Sequence, residues 1–407
     1  MRVFRNVSLI AALSATALAV AACGSSNPSS GGGAGGGGGG GGGGSVTVPS
    51  LSVSSFTNDF SVMSKLKGLA AHGKGKIAVI LPDTTTSARY TEFDAPYLKE
   101  SFQKAGLSSS DYIIQNAHGS DSTQLTDAQS DITNGASVLI VDPLDAGVGA
   151  QMEKYGTDHG AKVIDYDRLT LGGQRDYYVS FNNVEVGKKI GNGFVSCVSK
   201  WGVKKPNVIV MRGDPTDNNA TLFAQGYLSV LKPKFSSGWS EAATPAGTWD
   251  PPTAETEFQQ AFTANPGVNS VLVPNDENAA PIINYLQSQG VKPNTFPVTG
   301  QDATLVGLQN ILAGYQCGTA YKPIYLEAQA AAALGIILRA GKTPPSSLAN
   351  GTTQDTKEHK AVKSVLLTPE WVTPQNMAKT VIADKFVPAS QLCKGKYSSA
   401  CKKYGIS

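Results

Sequence analysis

The chain has 407 residues, 34 Lys and Arg against 31 Asp and Glu, a net charge of +3 and only 16% charged residues. That balance carries no basic block of the kind a nucleic-acid binder needs, apart from a short "CKGKYSSACKKYG" near the C-terminus. Once the ends are set aside, roughly three hundred residues remain, more than one core usually serves, so two lobes are expected.

In chain order, "MRVFRN" supplies positive charge and "VSLIAALSATALAV" an apolar stretch too short and too alanine-rich for a permanent span. Small residues then lead into a cysteine in "VAAC" (20–23), which resembles a bacterial lipoprotein lipobox. The resemblance implies a signal peptide over 1–22 and lipidation of Cys23 as the mature N-terminus; an uncleaved anchor is the alternative. On either reading the chain is exported and held at a membrane, on the outer face of the plasma membrane or in a periplasm. The glycine runs 31–33 and 35–44 follow. They bury nothing, lack the strand and Lys-Ser/Thr of a phosphate loop, and give a flexible tether, placed at 23–74, with a reach of roughly 30 Å.

From Lys76 onward short β-branched runs alternate with amphipathic stretches. "KIAVIL" (76–81), "DYIIQ" (111–115), "SVLIV" (137–141), "KVIDY" (162–166), "YYVSF" (177–181), "NVIVM" (207–211), "SVLVP" (270–274) and "FPVTG" (296–300) read as strands, each with a helix after it. Continuous apolar strands separated by helices predict parallel sheets covered on both faces, with ligands bound beyond the strands' C-terminal ends. Polar residues recur at that edge: Arg89 and Tyr90, Asp142, Asp167 and Arg168, the run "RGDPTDNNA" (212–220), "NDEN" (275–278), "QDA" (301–303) and "YKP" (321–323). Singly each is a turn or a cap. Together they line one cleft, and Arg forks, carboxylates and carboxamides beside the aromatic faces of Tyr90 and Trp249 suit a sugar, whose hydroxyls both donate and accept. Gly187, Gly191 and Gly193 fall inside a helix-like segment and are not a dinucleotide loop. No cofactor fingerprint or metal-ligand spacing is present.

Five cysteines are present. With Cys23 assigned to lipid, the other four allow three pairings. Closeness in sequence favours Cys393 with Cys401, and Cys197 with Cys317 follows only by elimination.

The motifs "YDRL", "YVSFNNVEVG", "DPTDNNA", "VPNDENAA", "VTGQDA" and "AYKP", in this order, resemble the xylose-binding branch of the ribose/galactose-type periplasmic sugar-binding proteins. The likeness runs from about Lys76 to about Ala383. It implies an α/β fold of two Rossmann-like lobes joined by a three-strand hinge that closes over one pyranose. The lobes are placed at 75–175 with 320–364 and at 176–319 with 365–385, followed by a basic tail at 386–407. Carried over by position, the resemblance implies Arg89 as a hydroxyl donor with Tyr90 as a stacking face, and Asp167 with Arg168 gripping ring hydroxyls. It implies Asn219 as a polar contact, with Asp217 and Asn218 shaping the turn, and Trp249 as the second stacking face. Asp276 and Asp302 would be acceptors and Lys322 a donor beside the hinge. The family usually has tryptophan at Tyr90, asparagine near His118 and small residues where Glu277 and Asn278 stand.

The expected protein is a monomeric solute receptor that binds xylose or a related aldopentose or aldohexose and delivers it to an ABC-transporter permease. It has no cofactor, no metal and no catalytic residue. A receptor signalling to a sensor kinase is the alternative, and an extracellular carbohydrate-active enzyme using Asp276 with Asp302 is a weaker one. The export signal and the missing helix-turn-helix argue against a DNA regulator.

Overall fold

The structure, a computed structural model, describes residues 46–407; the signal segment, Cys23 and the glycine run lie outside the described residues. From Val46 the chain is already packed. Leu51, Phe56, Phe60, Met63 and Leu66 are buried in the first core, ahead of helix α1 (Lys67–His72). The expected tether to residue 74 is therefore corrected: residues 46–72 form a strap whose apolar side chains each stabilise the fold by about 1.5–3 kcal/mol.

The first lobe runs β1 (Lys76–Leu81), α2 (Ala95–Lys104), β2 (Tyr112–Asn116), α3 (Asp121–Thr133), β3 (Ala136–Val141), α4 (Ala146–Asp158), β4 (Lys162–Tyr166) and β5 (Tyr177–Phe181). Ile77, Val79 and Leu81 of β1 face the strap side, while Ala78 and Ile80 join Ile132 and Met152 on the other face. Burial on both faces is why "KIAVIL" reads as one apolar run. Between β4 and β5 the expected helix is absent: a loop returns the chain to pair parallel beside β4.

The chain then crosses into α5 (Asn183–Lys200), β6 (Asn207–Val210), α6 (Asn218–Phe235), β7 (Ser240–Ala243), α7 (Pro251–Ala264), β8 (Ser270–Leu272), α8 (Asp276–Ser288), β9 (Gly300–Gln301), α9 (Leu305–Leu312) and β10 (Thr319–Tyr321). Helices α5 and α6 cross with their backbones touching. A Cβ at Gly187 would lie 2.1 Å from the Phe223 carbonyl oxygen, and one at Gly226 would lie 2.2 Å from that of Val184. These glycines are packing residues.

A second crossing leads to α10 (Ile324–Arg339), which covers the first sheet, and to the hairpin β11 (Gly351–Asp355) and β12 (Lys360–Leu367). A third leads to β13 (Glu370–Val372), antiparallel to β10. The first sheet has the order β11-β12-β5-β4-β3-β1-β2; the second lobe has β7-β6-β8 and β13-β10-β9, tied by a bridge between Val271 and Val298. The crossings thus follow β5, β10 and β12, a few residues beyond the boundaries read from sequence, because β5 and the end of β12 pair with each other in the first sheet.

The C-terminal segment is also packed. Phe386, Leu392, Cys401 and Ile406 share a core with Leu308, Ile311 and Tyr321, around α11 (Ala389–Leu392) and α12 (Ser398–Tyr404). Disulfides join Cys393 to Cys401 and Cys197 to Cys317. No described helix is long and apolar enough to cross a membrane.

Candidate functional site

The strand ends of both lobes meet at one cleft with about 360 Å³ of empty space, part of it open to solvent. From the first lobe come Arg89 and Tyr90 after β1 and Asp167 and Arg168 after β4. From the second come Asp217 and Asn219 at the start of α6, Trp249 before α7, Asn275 at the cap of α8, Gln301 and Asp302 after β9, and Lys322 after β10.

Arg89 is the hub of the first lobe. Its guanidinium donates to Asp94 at 2.8 Å, to Asp167 at 2.8 Å and to Glu327 at 2.8 Å. Burial would push the Asp167 carboxyl up, but Arg89, Lys322 and Arg168 outweigh it and hold the group below its ordinary value. It stays an ionised acceptor. Asp167 adopts φ 56° and Asp302 φ 85°, left-handed backbone that non-glycine residues seldom take. At Asp167 the turn is held through its own carbonyl, which accepts from Tyr178 (2.8 Å), Ser180 (2.7 Å) and Asn219 (3.0 Å).

Arg168 donates to the Tyr90 hydroxyl at 3.0 Å, and its Nε lies 3.7 Å from Asp142 and 3.4 Å from Asp217. Its guanidinium carbon sits 5.7 Å from the centroid of the Tyr90 ring, and that of Arg89 sits 5.4 Å away. Tyr90 is thus a buried, fixed wall. Lys322 is 3.3 Å from Asp302 and 3.7 Å from Asp167. Burial would lower its pKa, but those two carboxylates reverse the effect and keep it charged.

Asp217 does more than shape a turn. One carboxylate oxygen caps α6, accepting from the Asn219 amide at 2.8 Å; the other accepts from Trp249 Nε1 at 2.9 Å. The Trp249 ring lies so close over Gly213 that a Cβ there would be 2.2 Å from it, and it meets Phe223 edge-on at 6.4 Å. Asn219 accepts from Asn183 at 2.8 Å and spends one amide hydrogen on Asp167, and the other has no acceptor among the described residues. Gln301 Oε1, a buried acceptor of the cleft wall, has no hydrogen-bond partner among the described residues, and Asp302 Oδ1 has only the Lys322 ammonium at 3.3 Å.

Eight of the nine ligand residues expected from sequence therefore share the cleft, and Asp276 does not. As the first residue of α8, it turns beneath the cleft and accepts from Gln316 at 2.7 Å and from the Thr304 amide at 2.9 Å. Its neighbour Asn275 lines the cleft instead. Asp217, Asn275, Gln301, Thr86, Ser87 and Phe223 are lining residues that sequence reasoning did not select. For Asn275 and Gln301 the signal was present in "NDEN" and "QDA", where the carboxylate was preferred to the adjacent carboxamide. His118 lies on an exposed turn after β2, away from the cleft.

A family model described as a periplasmic binding protein domain matches residues 77–343. The chain is 34% identical over 333 residues to the D-xylose-binding periplasmic protein of Escherichia coli K12, covering 80% of this chain and 96% of that protein. It is 32% identical over 344 residues to the multiple sugar-binding periplasmic receptor ChvE of Rhizobium radiobacter, covering 79% of this chain and 93% of the other. A solute binding protein from Chloroflexus aurantiacus, solved in complex with D-glucose, superposes with a TM-score of 0.69 at 26% identity, over 77% of this chain and 97% of its own.

Proposed function

The chain belongs to the periplasmic binding protein family, and from that premise we propose that it is an exported receptor capturing one monosaccharide, xylose or a related aldopentose or aldohexose, for an ABC importer. The relatives it matches are sugar-binding proteins and not enzymes, and this chain is likewise a binding protein. The observation that carries the reading is the chemistry of the cleft. Arg89, Arg168 and Lys322 are cations already neutralised by Asp167, Asp217 and Asp302, so the ligand need bring no net charge. What the wall offers is matched donors, the unpaired acceptor Gln301 Oε1, the Asp302 carboxylate beside Lys322, and the indole of Trp249. A polyhydroxylated ring with an apolar C–H face fits that set. In this reading the lobes close around it, Cys23 carries the lipid that holds the monomer at the membrane, and a separate permease receives the sugar.

The test is a thermal-shift screen of the full chain against pentoses, hexoses and their epimers. A ligand at about a thousand times its Kd stabilises the folded state by about 4 kcal/mol. The expected result is a clear rise in Tm with one sugar or a narrow set. A flat response to every monosaccharide overturns the reading.

A further inference from the structure

Arg89 reaches the cleft with most of its donors already committed. A guanidinium carries five N–H groups. Nε and one hydrogen of Nη2 grip Asp94 side-on at 2.8 Å each, the other hydrogen of Nη2 goes to Glu327 Oε2 at 2.8 Å, and one hydrogen of Nη1 goes to Asp167 at 2.8 Å. The fifth N–H, on Nη1, has no acceptor among the described residues. Asp167 lines the cleft beside Arg89, whereas Asp94 and Glu327 lie wholly buried outside its lining. Asp94 ends the turn Tyr90–Asp94 that follows Arg89, and it also accepts from the Tyr166 hydroxyl at the end of β4. Glu327 stands in the first turn of α10 and makes its one hydrogen bond to Arg89, for its Oε1 has no partner among the described residues. Burial holds the Glu327 carboxyl above its ordinary range, against the pull of Arg89.

We propose that Glu327 is a positioning residue for sugar recognition, holding the far edge of the Arg89 guanidinium so that a single N–H, on Nη1, is presented to one hydroxyl of the sugar. The inference rests on the sugar-receptor reading above. Asp94, Glu327 and Tyr166 all belong to the first lobe, so this seat does not depend on closure. Turning the guanidinium out of it would break hydrogen bonds on Nε and on both hydrogens of Nη2, so the donor is aimed before the ligand arrives and binding bears no cost of ordering it. Without Glu327, one buried Nη2 hydrogen lacks an acceptor and the guanidinium gains by tilting to find one. The Nη1 hydrogen then loses its aim. An apolar side chain would satisfy the core at this place, so what the Glu327 carboxyl supplies is the acceptor for Arg89.

The experiment is calorimetric titration of the full chain, Glu327→Met and Glu327→Gln with D-xylose, D-glucose and their monodeoxy derivatives. Methionine fills a similar volume without the acceptor and leaves Arg89 its Asp94 and Asp167 partners; glutamine keeps an oxygen that accepts from Nη2. The expected result is that one derivative, lacking the hydroxyl Arg89 serves, binds the parent chain at least tenfold more weakly than the complete sugar. Glu327→Met should weaken the complete sugar tenfold or more yet change the affinity for that derivative less than threefold, and Glu327→Gln should stay within threefold of the parent for both. If Glu327→Met does not fold, Glu327→Asp, which keeps the charge but withdraws the acceptor by one methylene, is held to the same pattern. A residue that only stabilises the fold would shift sugar and derivative alike. Equal losses for both, unchanged affinity for both, a Glu327→Gln loss as large as that of Glu327→Met, or a parent chain indifferent to every missing hydroxyl overturns the positioning role and leaves the receptor reading standing. No binding of any sugar by the parent chain overturns both.

Discussion

Asn275 and Asp276 are adjacent, polar and buried, yet the fold gives them opposite tasks. Asn275 is the non-helical cap of α8, and its backbone at φ −149° and ψ 164° leaves the side chain at the cleft wall. Asp276 is the first helical residue and packs against Gly300 and Gly307, where any Cβ would come within 2.1 Å of its carboxylate. Asn275→Ala should therefore lower sugar affinity at least tenfold and cost only about 1 kcal/mol of stability, the loss of the cap its Oδ1 makes with the Asn278 amide at 3.2 Å. Asp276→Ala should do the reverse, leaving the Gln316 and Thr304 donors unpaired at a cost of about 3 kcal/mol in stability. Titration calorimetry beside denaturant unfolding separates the two. Burial also pushes the Asp276 carboxyl up to about 7, from an ordinary value of 3.8. Folding thus favours the protonated form. The stabilising effect is complete below the unfolded pKa and is lost as pH rises from about 4 to 7. The carboxyl carbon resonance of Asp276 should titrate near neutrality; a midpoint near 4 would remove this pH dependence. Sequence alone marked the polar segment but could not choose between neighbours, because a helix cap and the residue after it differ only in backbone angles.

At the level of elements, the apolar strands such as β1 and β3 were readable, as was the edge strand β2 through its Tyr-Ile-Ile run, but the hairpin of β11 and β12 was not. "KIAVIL" is apolar throughout because helices cover both sides of β1, whereas β11 and β12 alternate exposed and buried positions at the sheet edge and carry polar residues such as Thr352 and Lys363. The strap escaped for another reason. Its buried residues lie on short 3₁₀ turns and loops with no 3.6-residue period, so they merge with the glycine run before them. Truncation at residue 74 should consequently remove several core side chains and destabilise the body by at least 5 kcal/mol, on the order of 2 kcal/mol for each. Unfolding with an unchanged midpoint would return the strap to the tether. The Cys197–Cys317 disulfide closes a separation of 120 residues within the second lobe. The loop-entropy estimate for its loss is about 5 kcal/mol, so Cys197→Ser with Cys317→Ser should unfold at clearly lower denaturant concentration.

For the whole molecule, the lobes meet in a closed arrangement whose contacts run through ligand-lining residues. Asn219 donates to the Asp167 carbonyl at 3.0 Å across the cleft, Asp217 faces Arg168 at 3.4 Å, and Glu277 touches the Ser87 loop. Arg168 is therefore shared between Asp142 of its own lobe and Asp217 of the other. In the opening that the proposed function requires, Asp217 would leave with the second lobe, and Arg168 would keep Asp142, the Tyr90 hydroxyl and the Pro143 and Leu144 carbonyls of its own lobe. In the closure proposed above, Asp217 is the carboxylate of the other lobe that meets Arg168, and a ligand bound to the closed form alone would favour that contact. Asp217→Ser isolates this effect, since serine still caps α6 and so spares most of its stability, but removes the charge facing Arg168 and the partner of Trp249. Its Tm without sugar should fall modestly, because Trp249 Nε1 loses its acceptor, while affinity falls ten- to hundredfold, equivalent to about 1.4–2.7 kcal/mol. Small-angle X-ray scattering should show the sugar-induced contraction of the parent reduced in the variant at equal sugar concentration. Undiminished contraction and affinity would mean that Asp217 caps a helix and nothing more, and that closure is governed by the Asn219 and Glu277 contacts instead.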